Sequence, residues 1–167
     1  MITLEKITHE NLCECIYDIE MTEEQENFVD SNAESLAEAY ASITNGGFAT
    51  PYAVYDGDTM VGFVMYTFAD KPGGDLSPPY TFPCYYIWRI LIDKNYQGKG
   101  YGKQAIAKII EEIKTMPHGK ADRIYTSWAP SNIPSKSLFE SFGFIETGET
   151  EGDMEDDDYE IIVKLDL

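Results

Sequence analysis

The chain has 167 residues, 43% of them hydrophobic, with 13 glycines, the size and composition of one globular domain that buries roughly two-thirds of its unfolded surface. Its formal net charge of −18 speaks against nucleic acid and anionic membranes as partners, because neutralising phosphates takes a basic face. No apolar run approaches the roughly 18 residues of a membrane span and no charged-then-apolar signal opens the chain, so a cytoplasmic protein is expected.

Taken in order, Ile2 to Ile7 alternates as a first strand, and a helix runs from Thr8 to about Tyr17. The polar segment from Asp18 to Asp30 leads to a second helix, opened by Ser31 with Glu34 three residues on as a capping box, and stopped by Asn45-Gly46-Gly47. Pro51 to Tyr55 and Met60 to Phe68 read as a hairpin around Asp56-Gly57-Asp58. Lys71 to Pro83, with four prolines and two glycines, is a loop. The run from Tyr85 to Ile92 is apolar enough for a central strand buried on both faces.

A helix spans Gly100 to Thr115, with Ile106, Ile109, Ile110 and Ile113 on its buried side. Arg123 to Trp128 is the next strand and Ile133 to Phe142 the next helix, before a closing hairpin of Phe144 to Gly148 and Tyr159 to Leu165. Strands that first pair locally and later alternate with helices make an α+β (mixed α/β) fold: a largely antiparallel twisted sheet flanked by helices, in a single domain.

The stretch that carries chemistry is Gln97-Gly98-Lys99-Gly100-Tyr101-Gly102-Lys103, between the central strand and the long helix. A strand, a glycine-rich turn and a helix start together bind phosphate: the turn exposes backbone N–H groups and the helix adds its positive end. Lys99 and Lys103 bring formal charge, and Lys94 and Lys108 stand nearby. A dinucleotide fingerprint starting at Gly98 would need glycine where Lys103 stands, and a Walker A loop would need glycine at Gln97 and Ser or Thr at Gln104. What remains is Q-x-x-G-x-G, or a glycine turn without a ligand.

That pattern resembles the pyrophosphate loop of the GCN5-related N-acetyltransferases. The run from Asn132 to Phe144 resembles the same superfamily's second cofactor segment, N-x-x-[AS]-x-x-L-[YF]-x-x-x-G-F. Burial and capping also account for it, since Leu138 and Phe142 share a helix face, Asn132 suits an N-cap and Gly143 a C-cap. From about Thr22 to Leu165 the chain resembles bacterial diamine and polyamine (spermine/spermidine) N-acetyltransferases.

The resemblance implies acetyl-CoA as co-substrate, no metal, and a small cationic amine as acceptor, with a homodimer left open. It places the cofactor along Ile90, Leu91 and Ile92, over Gln97, Gly98, Lys99, Gly100, Tyr101, Gly102 and Lys103, and against Asn132 and Phe139. A backbone N–H near Leu91 is the expected oxyanion donor.

The family's usual strand carboxylate is missing, since Ile87 and Trp88 precede Arg89, so Glu24, Glu26 and Tyr125 are the candidate bases. Many relatives carry an acidic Tyr where Phe139 stands. Water, Ser137 or Tyr125 would then protonate the leaving thiolate. The alternatives are a weakly catalytic acyl-CoA-binding module, or an enzyme acting on a protein N-terminus or an aminoglycoside.

The acids cluster in two places, from Glu14 to Asp30 and, nine of them, from Glu146 to Glu160 with Asp156-Asp157-Asp158. Of the two, the Glu24 and Glu26 region is expected to face the acceptor and the Asp156 loop to be solvated surface. Cys13 and Cys15 lack partners at metal spacing, His9 and His118 show no nucleophile partner, and three cysteines are too few for a disulfide framework.

Overall fold

The computed structural model describes residues 1–73, 76–153 and 158–167. Seven strands form one sheet: β1 (Ile2–Lys6), β2 (Phe48–Asp56), β3 (Thr59–Ala69), β4 (Cys84–Ile92), β5 (Arg123–Trp128), β6 (Ile145–Asp153) and β7 (Asp158–Asp166). Their spatial order is β1-β2-β3-β4-β5-β7-β6, and every neighbouring pair is antiparallel except β4 with β5. Among the described residues four α-helices, α1 (Leu12–Tyr17), α2 (Asn32–Thr44), α3 (Tyr101–Ile113) and α4 (Ile133–Glu140), and a 3-10 turn at Gln25–Asn27 join the strands.

Local chemistry explains most boundaries. Ser31 and Glu34 form the reciprocal capping box on α2, and Asn132 caps α4 by accepting from the Ser135 N–H at 3.2 Å. β2 begins at Phe48, three residues earlier than the hairpin reading. Pro51 is tolerated inside it because β1 reaches only as far as Tyr52, leaving that stretch of β2 paired on one side. The closing hairpin is also longer than expected. β6 carries two extra residues between Glu146 and Thr150, opposite Val163 and Ile161, with Gly148 at φ 84°.

The core lies between the sheet and α3. Ile106, Ile109 and Ile113 have no exposed surface and Ile110 is 6% exposed. Each contributes about 1.5–3 kcal/mol by leaving water. Val64, Tyr66, Tyr85, Ile124 and Trp128 meet them from the strands.

Two irregularities interrupt the middle of the sheet. Met65 pairs with Arg89 and Tyr66 with Ile87, so Trp88 is an extra residue, a bulge on β4. β4 and β5 pair only at Tyr85 with Ile124 and Tyr86 with Tyr125, and then diverge. Beyond Tyr86 the Ile87 carbonyl accepts from the Thr126 hydroxyl at 3.0 Å, and past that contact the edge of β4 that faces β5 is open.

Candidate functional site

The divergence of β4 and β5 opens a cleft of about 480 Å³. Its walls are β4 from Tyr86 to Ile90 with Ile92, β5 from Thr126 to Trp128, the start of α3 and one face of α4. A second cavity, about 560 Å³, lies on the other side of β4 among α2, the start of β2, the end of β3 and β6–β7. Tyr86, Trp88, Arg89 and Glu160 line both. The bulge at Trp88 thus sits at the partition between the two spaces.

The glycine turn is at the mouth of the cleft. Gly98 and Gly100 have φ of 73° and 79°, the left-handed region that glycine adopts without strain. Gly100 is the N-cap of α3, so the first N–H groups of that helix, which have no acceptor within the helix, lie beside the cleft. Gly102 has ordinary geometry, and a Cβ there would rest 3.6 Å from Ile92 Cγ1. Gln97, Gly98, Gly100, Tyr101, Gly102 and Lys103 all line the cleft.

Lys99 does not. Its ammonium donates to the Asn95 carbonyl at 3.2 Å and sits 4.8 Å from the Tyr96 ring centre. The Tyr101 hydroxyl donates to Asp56 at 2.6 Å, which pins the helix start to the β2–β3 turn.

The polar linker before α2 holds this turn in place, which the sequence did not indicate. The buried Asp93 carboxylate accepts from the Glu20 and Asn95 N–H groups, both at 2.8 Å. The Gln25 amide donates to the Ile92 carbonyl at 3.1 Å, and its oxygen accepts from the Gln97 amide at 2.6 Å. Thr22, Glu24, Gln25, Phe28 and Val29 become part of the wall. A lone glutamine in an acidic segment carries no pattern that would single it out.

Several expected roles move. The Ile92 carbonyl points into the cleft, whereas the Asp93 N–H donates to Val61 of β3. By strand alternation Leu91 faces β3 as well, and its carbonyl lies so close to Gly62 that a Cβ there would collide with it. The Leu91 main chain thus faces β3, away from the cleft, whereas that of Ile90 and Ile92 faces the cleft, with the Ile92 carbonyl taken by Gln25.

Tyr125 sits where β4 and β5 are still paired, its hydroxyl accepting from the Thr81 N–H at 3.4 Å and its ring packed on Tyr80, outside both cavities. Ser137 is exposed on the far side of α4, while Ser135 faces the cleft. Glu26 is exposed and off the wall, and Glu24 is exposed on it. Asp156 and Asp157 of the proposed solvated loop lie outside the described residues.

Asn132 and Phe139 line the cleft as expected, the first as the α4 cap. Phe139 is 2% exposed, stacked 6.3 Å from Trp128 and edge-on at 5.2 Å to Phe144. It offers the site packing and no proton.

The second cavity is acidic and aromatic. Glu38, Asp70, Glu151 and Glu160 line it with Phe48, Phe68, Tyr86 and Trp88. Arg89 is committed to Asp30 at 2.5 Å and Glu38 at 3.0 Å. The Tyr80 and Tyr86 hydroxyls both donate to Glu151, at 2.6 and 3.2 Å. Burial, reinforced by that carboxylate, drives the pKa of both phenols well above the usual tyrosine range. Among the described residues no group of three His, Cys, Asp or Glu side chains converges as metal ligands would.

Residues 13–144 match the model of the acetyltransferase (GNAT) family. The chain belongs to that family. Among its relatives are a probable spermine N(1)-acetyltransferase of Bacillus subtilis subsp. natto, 29% identical over 89% of this chain and 90% of that one, and a spermine/spermidine N(1)-acetyltransferase of Bacillus subtilis strain 168, 28% identical with the same coverage. Among solved structures, an aminoglycoside acetyltransferase in complex with coenzyme A superposes with a TM-score of 0.76 at 20% identity, covering 99% of this chain and 95% of that one. That likeness is one of fold.

Proposed function

We propose that the protein transfers the acetyl group of acetyl-CoA to a primary amine of a small polycation, of the spermine or spermidine kind. The observation that carries this reading is the pairing of two unlike spaces across one strand. On one side of β4 is a cleft floored by glycines and the positive end of α3, suited to a pyrophosphate. On the other is a cavity with four carboxylates and four aromatic rings, suited to ammonium groups on an aliphatic chain. The polyamine relatives support the acceptor class, and the net charge of −18 supports attraction of a polycation at long range.

In this reading the coenzyme enters between β4 and β5. Gln97, Gly98, Gly100, Tyr101, Gly102 and Lys103 hold its pyrophosphate, and its arm runs along the open edge at Ile90 and Ile92 toward the partition. The thioester carbonyl meets a main-chain N–H on that edge, which stabilises the oxyanion without needing a side chain. The amine arrives from the second cavity. Phe139 donates no proton, so the departing thiolate, an acceptable leaving group with a thiol pKa of about 8.5, takes one from the reacting amine or from water.

Thiol release from acetyl-CoA, measured against spermidine, putrescine, an aminoglycoside and a peptide N-terminus, tests the assignment. Release with the polyamines well above that with the peptide is the expected result. Release no faster than hydrolysis with every amine overturns it.

A further inference from the structure

A primary amine with a pKa of about 10 reaches the site protonated, so transfer needs a base beside the thioester. Of the expected candidates, Tyr125 and Glu26 are off the walls and Glu24 is an exposed side chain on one wall only. Among the described residues two carboxylates line the cleft, Glu24 and Glu160, and only Glu160 also lines the second cavity.

Its setting is unusual. Glu160 on β7 stands directly opposite Glu151 on β6. Like charges at facing positions of a sheet destabilise it, so the pair calls for compensation. Hydroxyls supply it: Ser127 donates to Glu160, Tyr80 donates to Glu151 at 2.6 Å, and the Tyr86 hydroxyl lies 2.7 Å from Ser127 Oγ and 3.2 Å from Glu151 Oε1. Glu160, Ser127, Tyr86 and Glu151 thus form a continuous chain of hydrogen-bonding oxygens from the partition into the aromatic cluster. Tyr86 remains a neutral hydroxyl at working pH and so can receive one proton while giving up another.

We infer that Glu160 is the general base for the acceptor amine, and that Ser127, Tyr86 and Glu151 position it and conduct the proton away. This rests on the reading of the second cavity as the acceptor side. The ammonium group gives a proton to the Glu160 carboxylate. The freed lone pair forms the N–C bond, the C–S bond breaks, and the coenzyme leaves as thiolate. The second N–H proton goes to that sulfur, giving amide and thiol. The proton on Glu160 passes to Ser127 as the Ser127 proton moves to Tyr86 and the Tyr86 proton to Glu151, which releases it through the second cavity. One proton is freed per acetyl group transferred.

Among the described residues, the charged and titratable groups facing Glu160 include Glu151 from β6, Tyr86 and Arg89 from β4 and Tyr80 from the preceding loop, with Glu38, Asp70 and Lys71 across the second cavity and Glu24 across the cleft. Arg89 is held by Asp30 and Glu38 throughout, so its charge is a constant background.

The test is the pH profile of kcat for spermidine in wild type, Glu160→Gln, Glu160→Asp and Tyr86→Phe, with melting temperature and acetyl-CoA affinity measured alongside. Glu160→Gln should lower kcat by about 100-fold and move the acidic limb toward the amine's own pKa. Coenzyme affinity should hold, and Glu160→Asp should recover part of the rate. With a weakly basic amine, already neutral at about pH 8, the defect should vanish, which a purely structural role would not produce. Should Glu160→Gln fail to fold, Ser127→Ala carries the same comparison with a smaller loss. A wild-type rate and profile in Glu160→Gln, or a defect equal for both amines, overturns the proposal while leaving acetyl transfer intact. A wild type inactive with every amine overturns the acceptor reading beneath it.

Discussion

The two sides of β4 are built in opposite ways. The cleft side is written in contiguous sequence: strand, glycine turn and helix start succeed one another from Tyr85 to Ile113, and α4 with its Asn132 cap adds a second continuous segment. The cavity side is assembled from α2, the ends of β2 and β3, the middle of β4, and a cross-strand pair on β6 and β7. The first is a local device whose parts share one stretch of backbone; the second exists only once distant strands are in register. Substitutions on the cleft side should accordingly act through coenzyme affinity, and those on the cavity side through the acceptor.

The sharpest way to break that division is Gly102→Val. A Cβ there meets only ordinary contacts, at 3.6 Å from Ile92 and 3.8 Å from Leu138, so the fold should survive while the branched side chain intrudes on the coenzyme. Acetyl-CoA affinity should fall by about 100-fold, or about 2.7 kcal/mol, by calorimetry, with melting temperature unchanged. Gly100→Val is less informative, because a side chain at φ 79° strains the turn whether or not anything binds. Unchanged affinity in folded Gly102→Val would move the coenzyme elsewhere.

Arg89 belongs to neither side alone. Replacing it with Met leaves Asp30 and Glu38, respectively 52% and 42% exposed, to be rehydrated, and should lower stability by about 1–2 kcal/mol in urea unfolding. No loss would mean that the ion pairs hold nothing together.

On the acceptor side, Debye screening shortens from about 30 Å at 0.01 M salt to about 8 Å at 0.15 M. The apparent KM for spermidine should therefore rise several-fold with salt while kcat stays level. Asp70→Asn, on the wall of the second cavity, should raise KM by about 2- to 3-fold through the same field, and Glu24→Gln, on the cleft wall only, should not. Equal effects would show that net charge alone attracts the substrate.

The smallest effect lies behind the Phe48 wall of the second cavity. The His118 ring packs 4.9 Å from Phe48 and lies 3.1 Å from the Thr50 hydroxyl, and burial lowers its pKa. The folded state thus favours neutral imidazole. The stability this contributes is present above the unfolded pKa of about 6.5 and is lost as pH falls through the lower folded value. His118→Gln should flatten the fall in melting temperature below about pH 6.5 by a degree or two, about 0.5 kcal/mol.

How much of this could be seen in advance depends on the same contrast. The glycine turn, the buried face of α3 and the α2 capping box depend on spacings of three to seven residues, and all were legible. Errors came where the answer depends on which way a residue faces. Leu91 is off by one step of strand alternation, Ser137 by two residues around α4, and Tyr125 is the last residue of β5 paired with β4, one short of the cleft wall at Thr126. The Glu151–Glu160 pair was hidden for a different reason. The two extra residues around Gly148 set its register, and no alternation in Glu146 to Glu160 reveals them. Gln25 was invisible because its role rests on hydrogen bonds to Ile92 and Gln97, some seventy positions away.

The divergence of β4 from β5 has a mechanical consequence. The sheet is two leaves, β1 to β4 and β5 with β7 and β6, whose strands are stitched by two residue pairs and the Thr126 hydroxyl on the Ile87 carbonyl. A molecule lying in the gap acts as a missing strand between them. Its binding energy then resists separation of the leaves, adding about 2.7 kcal/mol to unfolding when it is present at 100 times its dissociation constant. Amide hydrogens of β7, which such a molecule need never touch, should exchange more slowly in its presence, and the fall in exchange rate would report how tightly the ligand binds the two leaves together.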